Sequence, residues 1–104
     1  MLRTVVEPGV CGMNTEIRVE GDMMNANIII TCDCPHIAKL ASEVTSASPV
    51  QDVFKNFATS DIYRLAALHC PHLACPVPMA IIKSLEIAGG LALMQDVKVT
   101  FYQE

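Results

Sequence analysis

No tryptophan occurs in the chain, and its 104 residues include only three phenylalanines and two tyrosines. A core built from this sequence therefore has to be aliphatic, with Met23, Met24, Met79 and Met94 as adaptable filler. Charge is also sparse, at 17% of residues, and the formal net charge is −4 with no basic cluster. That balance excludes a phosphate-neutralising surface, so no nucleic-acid partner is expected. No apolar run approaches the roughly 20 residues that span a bilayer, so no membrane partner is expected either. The opening Met1-Leu2-Arg3-Thr4-Val5-Val6-Glu7-Pro8 lacks the apolar centre and small-residue cleavage site of a secretory signal, which leads to the expectation of a cytoplasmic protein. There is no phosphate-cradling glycine loop, no serine nucleophile elbow and no dinucleotide fingerprint. Repeats, linkers and low-complexity stretches are absent too.

What the chain does have is apolar residues, at 52%, and five cysteines. The first excludes disorder and predicts a single domain over residues 1–104, long enough to bury a core without covalent staples. The second is rich for a reducing compartment. An odd count does not suit a secreted disulfide framework, so buried, metal-bound or reactive thiols are expected instead.

Taken in order, Leu2 to Glu7 reads as a short strand stopped by Pro8-Gly9. A loop follows in which Gly9 and Gly12 flank Cys11. From Thr15 to Glu20, Ile17 and Val19 alternate with Glu16, Arg18 and Glu20, the period of a half-buried strand. Gly21-Asp22 marks a turn, and Asn25 to Thr31 returns as the second arm of a hairpin. Ala26, Ile28, Ile30 and Cys32 share parity, which places Cys32 at the strand end on the core side. Asp33-Cys34-Pro35 predicts a helix start, with Ile37, Leu40, Ala41 and Val44 as its apolar stripe. Val50, Val53, Phe54 and Phe57 predict a second, short helix. Thr59 or Ser60 opens a third, carrying Ile62, Leu65, Ala66 and His69 and stopped at Cys70-Pro71. The fourth, over 76–88, is apolar nearly all round, with a polar edge at Lys83, Ser84 and Glu86, and should lie centrally; Gly89-Gly90 ends it. Val97, Val99 and Phe101 alternate with Lys98, Thr100 and Tyr102 in a predicted last strand. The expected fold is α+β: a mostly antiparallel four-stranded sheet with helices on one face, in the order β-β-β-α-α-α-α-β.

Candidate ligands fall in two clusters, Cys32-Asp33-Cys34-Pro35-His36 and His69-Cys70-Pro71-His72-Leu73-Ala74-Cys75, with Cys11 apart. Thiolate and imidazole suit zinc, and thiolates suit iron–sulfur clusters. Cys75 is placed as the N-cap of the last helix, with Pro76 in its first position. There the free N–H groups and the positive end of the helix dipole would favour its thiolate. The expected site joins Cys11, Cys32 and Cys75, from three separate elements, at one rim of the sheet. Cys34 and Cys70, each before a proline, are further candidates. His69 is expected as a core or boundary residue, and His36 and His72 at exposed helix ends. Asp33 or Cys34 is expected to cap. Any one of these cysteines could equally be a small buried hydrophobe.

Two resemblances add to this. Val6-Glu7-Pro8-Gly9-Val10-Cys11-Gly12, the strand end at Cys32, and Ala74-Cys75-Pro76-Val77-Pro78 together resemble a small uncharacterised family of methanogenic archaea and other anaerobes. The resemblance implies that Cys11, Cys32 and Cys75 matter together. Locally, Cys75-Pro76-Val77-Pro78 with its helix, glycine turn and strand resembles the CPxP segment of the TusA/SirA sulfur carriers. That implies a persulfide-carrying Cys75, although in those proteins the segment stands early in the chain.

Three functions follow as alternatives. The first is a cysteine-based site for zinc or an iron–sulfur cluster. The second is a thiol sulfur carrier or redox protein with Cys75 as its catalytic nucleophile and a sulfur or redox partner protein. The third is a structural or interaction module, with a homodimer suggested by the high apolar content, whose cysteines only pack. Whether the protein is an enzyme is left open by the residues.

Overall fold

The antiparallel ladder at the start of the chain organises everything else. The computed structural model describes residues 1–104. Strands β1 (Leu2–Val6), β2 (Thr15–Gly21) and β3 (Ala26–Cys32) pair antiparallel in sequence order. Alternation decides the faces: Thr15, Ile17 and Val19 of β2 and Ala26, Ile28 and Ile30 of β3 are buried, while Arg18, Glu20 and Ile29 look to solvent. On the outer face Glu16 sits between Arg3 (2.7 Å) and Arg18 (2.6 Å), which hold its carboxyl below the usual range. The β2–β3 hairpin turns on Asp22, whose carboxylate accepts from the N–H groups of Met24 and Asn25.

Helix α1 (Pro35–Glu43) follows, then a two-residue strand β4 (Ser46–Ala47), helix α2 (Pro49–Asp52), helix α3 (Asp61–His69) and helix α4 (Val77–Ala88). The helices cover one face of the sheet, with α4 over β1 and β2, α1 over β3, and α3 packed against both helices. Ile17, Val19, Leu40, Ile81 and Leu85 are wholly inaccessible and form the centre of one continuous core. Ser60 caps α3 by accepting from the Tyr63 N–H at 3.2 Å. Ser84, expected on a polar edge, is instead buried; its hydroxyl bonds Thr4 Oγ1 at 2.8 Å and donates to the Ala80 carbonyl at 2.7 Å. Those bonds let α4 turn a serine toward the sheet without an unmet polar group.

The α+β class, the four-stranded antiparallel sheet and the one-sided helices are as expected, but the fourth strand lies elsewhere. It is Ser46–Ala47, which pairs with Asn27 and Ala26 of β3, supported by the Ile28 N–H on the Thr45 carbonyl at 2.9 Å. The order is therefore β-β-β-α-β-α-α-α. Residues 97–101 form no strand, because no neighbouring backbone pairs with them. The second helix is also shorter than expected. It stops at Asp52, and Phe54 and Phe57 are exposed, with Phe57 standing edge-on to Tyr63. Met23, Met24 and Met94 are exposed rather than core filler.

Candidate thiol site

Two turns bring four half-buried cysteines onto the edge of the core. The first is the β3–α1 turn. Cys32 ends β3 opposite Thr15, and its sulfur receives the Thr15 hydroxyl at 2.9 Å and the Cys34 N–H at 3.4 Å, while reaching the Met13 carbonyl at 3.6 Å. Cys34, not Asp33, occupies the N-cap of α1, and Pro35 takes the first helical position. No side-chain bond closes that cap, which leaves the Cys34 sulfur uncommitted.

The second is the α3–α4 turn. Cys70 is the C-cap of α3, as a residue before proline should be. The chain then folds back round the His72 carbonyl, which accepts from Cys70 Sγ at 3.7 Å and from the Cys75 N–H at 3.1 Å. One carbonyl thus holds both ends of the loop, and the Cys70 and Cys75 sulfurs become neighbours. Pro76, not Cys75, is the N-cap of α4. The Val77 N–H still points at the Cys75 sulfur, so that sulfur does sit at the open start of the helix.

The electrostatic expectation for Cys75 is overturned. Burial pushes its thiol up to about 11, and the nearby Cys70 sulfur, by charge and by sharing a proton, adds to that, followed by Cys34. The Val77 N–H pulls the other way without prevailing. Removal from water and crowding by sulfurs outweigh the helix terminus here.

The sequence-derived residues are therefore distributed as follows. Cys75 lies with Cys70 and Cys34, the two cysteines set aside as further candidates. Cys32 shares the turn of Cys34. Cys11 stands exposed in the β1–β2 loop and makes no side-chain hydrogen bond; its flanking Gly9 (φ +98°) and Gly12 (φ +66°) bend the loop into solvent. Cys11, Cys32 and Cys75 do not form a metal-holding group, and Cys11 is exposed. No three Cys, His, Asp or Glu side chains surround a common point as a metal would require. His36 and His72 are exposed. His69 lies at the boundary, one of the two placements expected, its Nε2 on Glu43 Oε2 at 2.6 Å. The signal that could have found the Cys70–Cys75 pair was their sharing one short inter-helix turn with two prolines.

No helix is long and apolar enough to cross a membrane. No curated protein and no solved structure matches the chain. Residues 2–101 do match one family model, and the chain accordingly belongs to that family of unknown function, DUF6951.

Proposed function

We propose that this protein is a soft-metal binder, in which thiolates of Cys34, Cys70 and Cys75, with Cys32 as fourth ligand, hold zinc or an iron–sulfur cluster. The observation that carries this reading is the crowding of Cys75 by Cys70 and Cys34. Thiols so close resist ionisation one after another, and a bound cation reverses that penalty by replacing their protons. Backbone N–H groups two residues on, Cys34 for Cys32 and Val77 for Cys75, direct donors at two of the sulfurs. Such donors fix sulfur orientation and support negative charge.

The test is metal analysis and absorbance of protein purified without oxygen, beside serine variants. About one metal equivalent or one cluster per chain is expected, lost in Cys70→Ser and Cys75→Ser and kept in Cys11→Ser. Metal-free protein that stays so after anaerobic reconstitution would refute the reading.

A second reading rests on the adjacency of Cys70 and Cys75 alone: a dithiol that exchanges with an external disulfide. Cys70 and Cys75 would form one disulfide while the external one is reduced to two thiols. Oxidised glutathione is the probe, and peptide mapping should then find a Cys70–Cys75 bridge. Bridges scattered over all five cysteines would reject it.

A further inference from the structure

From residue 92 to residue 104 the chain makes no hydrogen bond, by backbone or side chain, to any other part of the molecule. Yet this segment is neither polar nor short. Leu93, Met94, Val99, Phe101 and Tyr102 are all more than 70% exposed. Val97, Val99 and Phe101 alternate with Lys98, Thr100 and Tyr102, the period of a strand with one buried face. A strand pattern without a ladder is an unfinished structure, because an extended backbone meets its N–H and C=O groups only through a neighbour.

The neighbour it lacks is present in the same molecule. The sheet order leaves the outer edge of β1 unpaired, and nothing blunts that edge: β1 has no proline, no bulge and only one charge, Arg3. A groove of about 810 Å³ runs along it, walled by β1 and α4 on one side and by residues 94–101 on the other. The segment thus passes beside the edge in its own chain and does not bond to it.

We infer that the protein forms a symmetric dimer in which residues 97–101 of each copy add a fifth strand to the β1 edge of the other. Three observations favour a second copy over a foreign strand. Edge and segment match in length, five residues against Leu2–Val6. Their faces match as well. With Val97, Val99 and Phe101 toward the helices, the apolar set lies over the partly exposed Met79 and Ile87 of α4, and Lys98 and Thr100 continue the solvent face that carries Arg3. Finally, a foreign strand on β1 would leave the segment's own apolar residues in water, whereas exchange covers both. A two-fold axis makes each copy donor and acceptor at once. Each copy contributes thirteen segment residues together with the β1 and α4 groove wall, which approaches the roughly 20–30 residues a side of a stable interface. The groove reaches Ala74 and Pro76, which flank Cys75, so the exchange also borders the thiol site without depending on what that site binds.

The experiment is light-scattering mass measurement across micromolar concentrations, with amide exchange, on the full chain and on Val99→Pro. Proline removes a ladder donor in a segment with no other contacts, and circular dichroism verifies that the fold is kept. The expected result is twice the chain mass, about 100-fold protection or more at Val97, Val99 and the outward amides of β1, and loss of both in Val99→Pro. Phe101→Lys should weaken the dimer in the same direction. A monomer with protected 97–101 amides would mean pairing within one chain and overturn the inference. So would a monomer with unprotected amides, a dimer indifferent to Val99→Pro, or a dimer whose β1 amides exchange freely.

Discussion

Cys75 holds its proton because three influences act on one sulfur and the two that oppose charge prevail. Its raised value fixes the sign of a pH effect in the metal-free protein. An unfolded cysteine ionises near 9.0, whereas this one does so at about 11. The folded state therefore keeps a proton that the unfolded state releases, and stability contributed below pH 9 is lost as pH rises to about 11. Urea midpoints measured between pH 8 and pH 11 should fall over that window, and the fall should be shallower in Cys75→Ser. Iodoacetamide should label Cys75 more slowly than the exposed Cys11 at neutral pH; equal rates would contradict this account of the site. Ser84 offers a second test at this scale. It is buried against Thr4, and Ser84→Val leaves the Thr4 hydroxyl without its partner. A loss of about 1–3 kcal/mol in denaturant unfolding is expected, and a neutral result would mean that the Thr4 hydroxyl finds water.

Among the elements, α4 does most to join sheet, helices and thiol turn. Its buried face carries Val77, Ala80, Ile81 and Leu85, and Leu85→Ala should cost about 2–5 kcal/mol through lost burial and the cavity left behind. Its C-terminus is closed by Gly90 at φ +72°, which allows the Leu91 N–H to reach the Glu86 carbonyl at 2.8 Å. A Cβ there meets no neighbour within 4 Å, so Gly90→Ala isolates backbone strain, about 1–2 kcal/mol by thermal unfolding. The helices were legible from the chain because stripe, cap and breaker lie within one segment: Ser60 and Pro71 bound α3, and Pro35 opens α1. The exception was the second helix, whose apolar positions Phe54 and Phe57 had the right spacing but no surface to pack on. The β2–β3 hairpin was legible for a similar reason, its Asp22 turn lying between two alternating arms. The fourth strand, Ser46–Ala47, was not. Two residues carry no period, and only the return of the chain past β3 makes them a strand.

For the molecule as a whole, metal and fold should be linked. A ligand that binds only the folded chain adds about 2.7 kcal/mol of stability at a hundredfold excess over Kd and raises the melting temperature with its concentration. Thermal melts with and without a chelator should separate accordingly, and the difference should shrink at low pH as protons compete for the sulfurs. Identical melts would indicate that the cysteines only pack.

The amino-acid order alone determined the α+β class, the one-sided helices, the aliphatic core and which turns carry cysteine, since each of these is written in local periodicity or residue type. Which sulfurs meet, and which alternating segment becomes a strand, was decided by tertiary structure. Cys75 lies near Cys70 and Cys34 because the β3–α1 and α3–α4 turns meet at one edge of the core, while Cys11 stands exposed in its glycine loop. Residues 97–101 carry the strand pattern and no strand, because a helix completes its hydrogen bonds within itself whereas a strand depends on what the rest of the fold, or another chain, places alongside it.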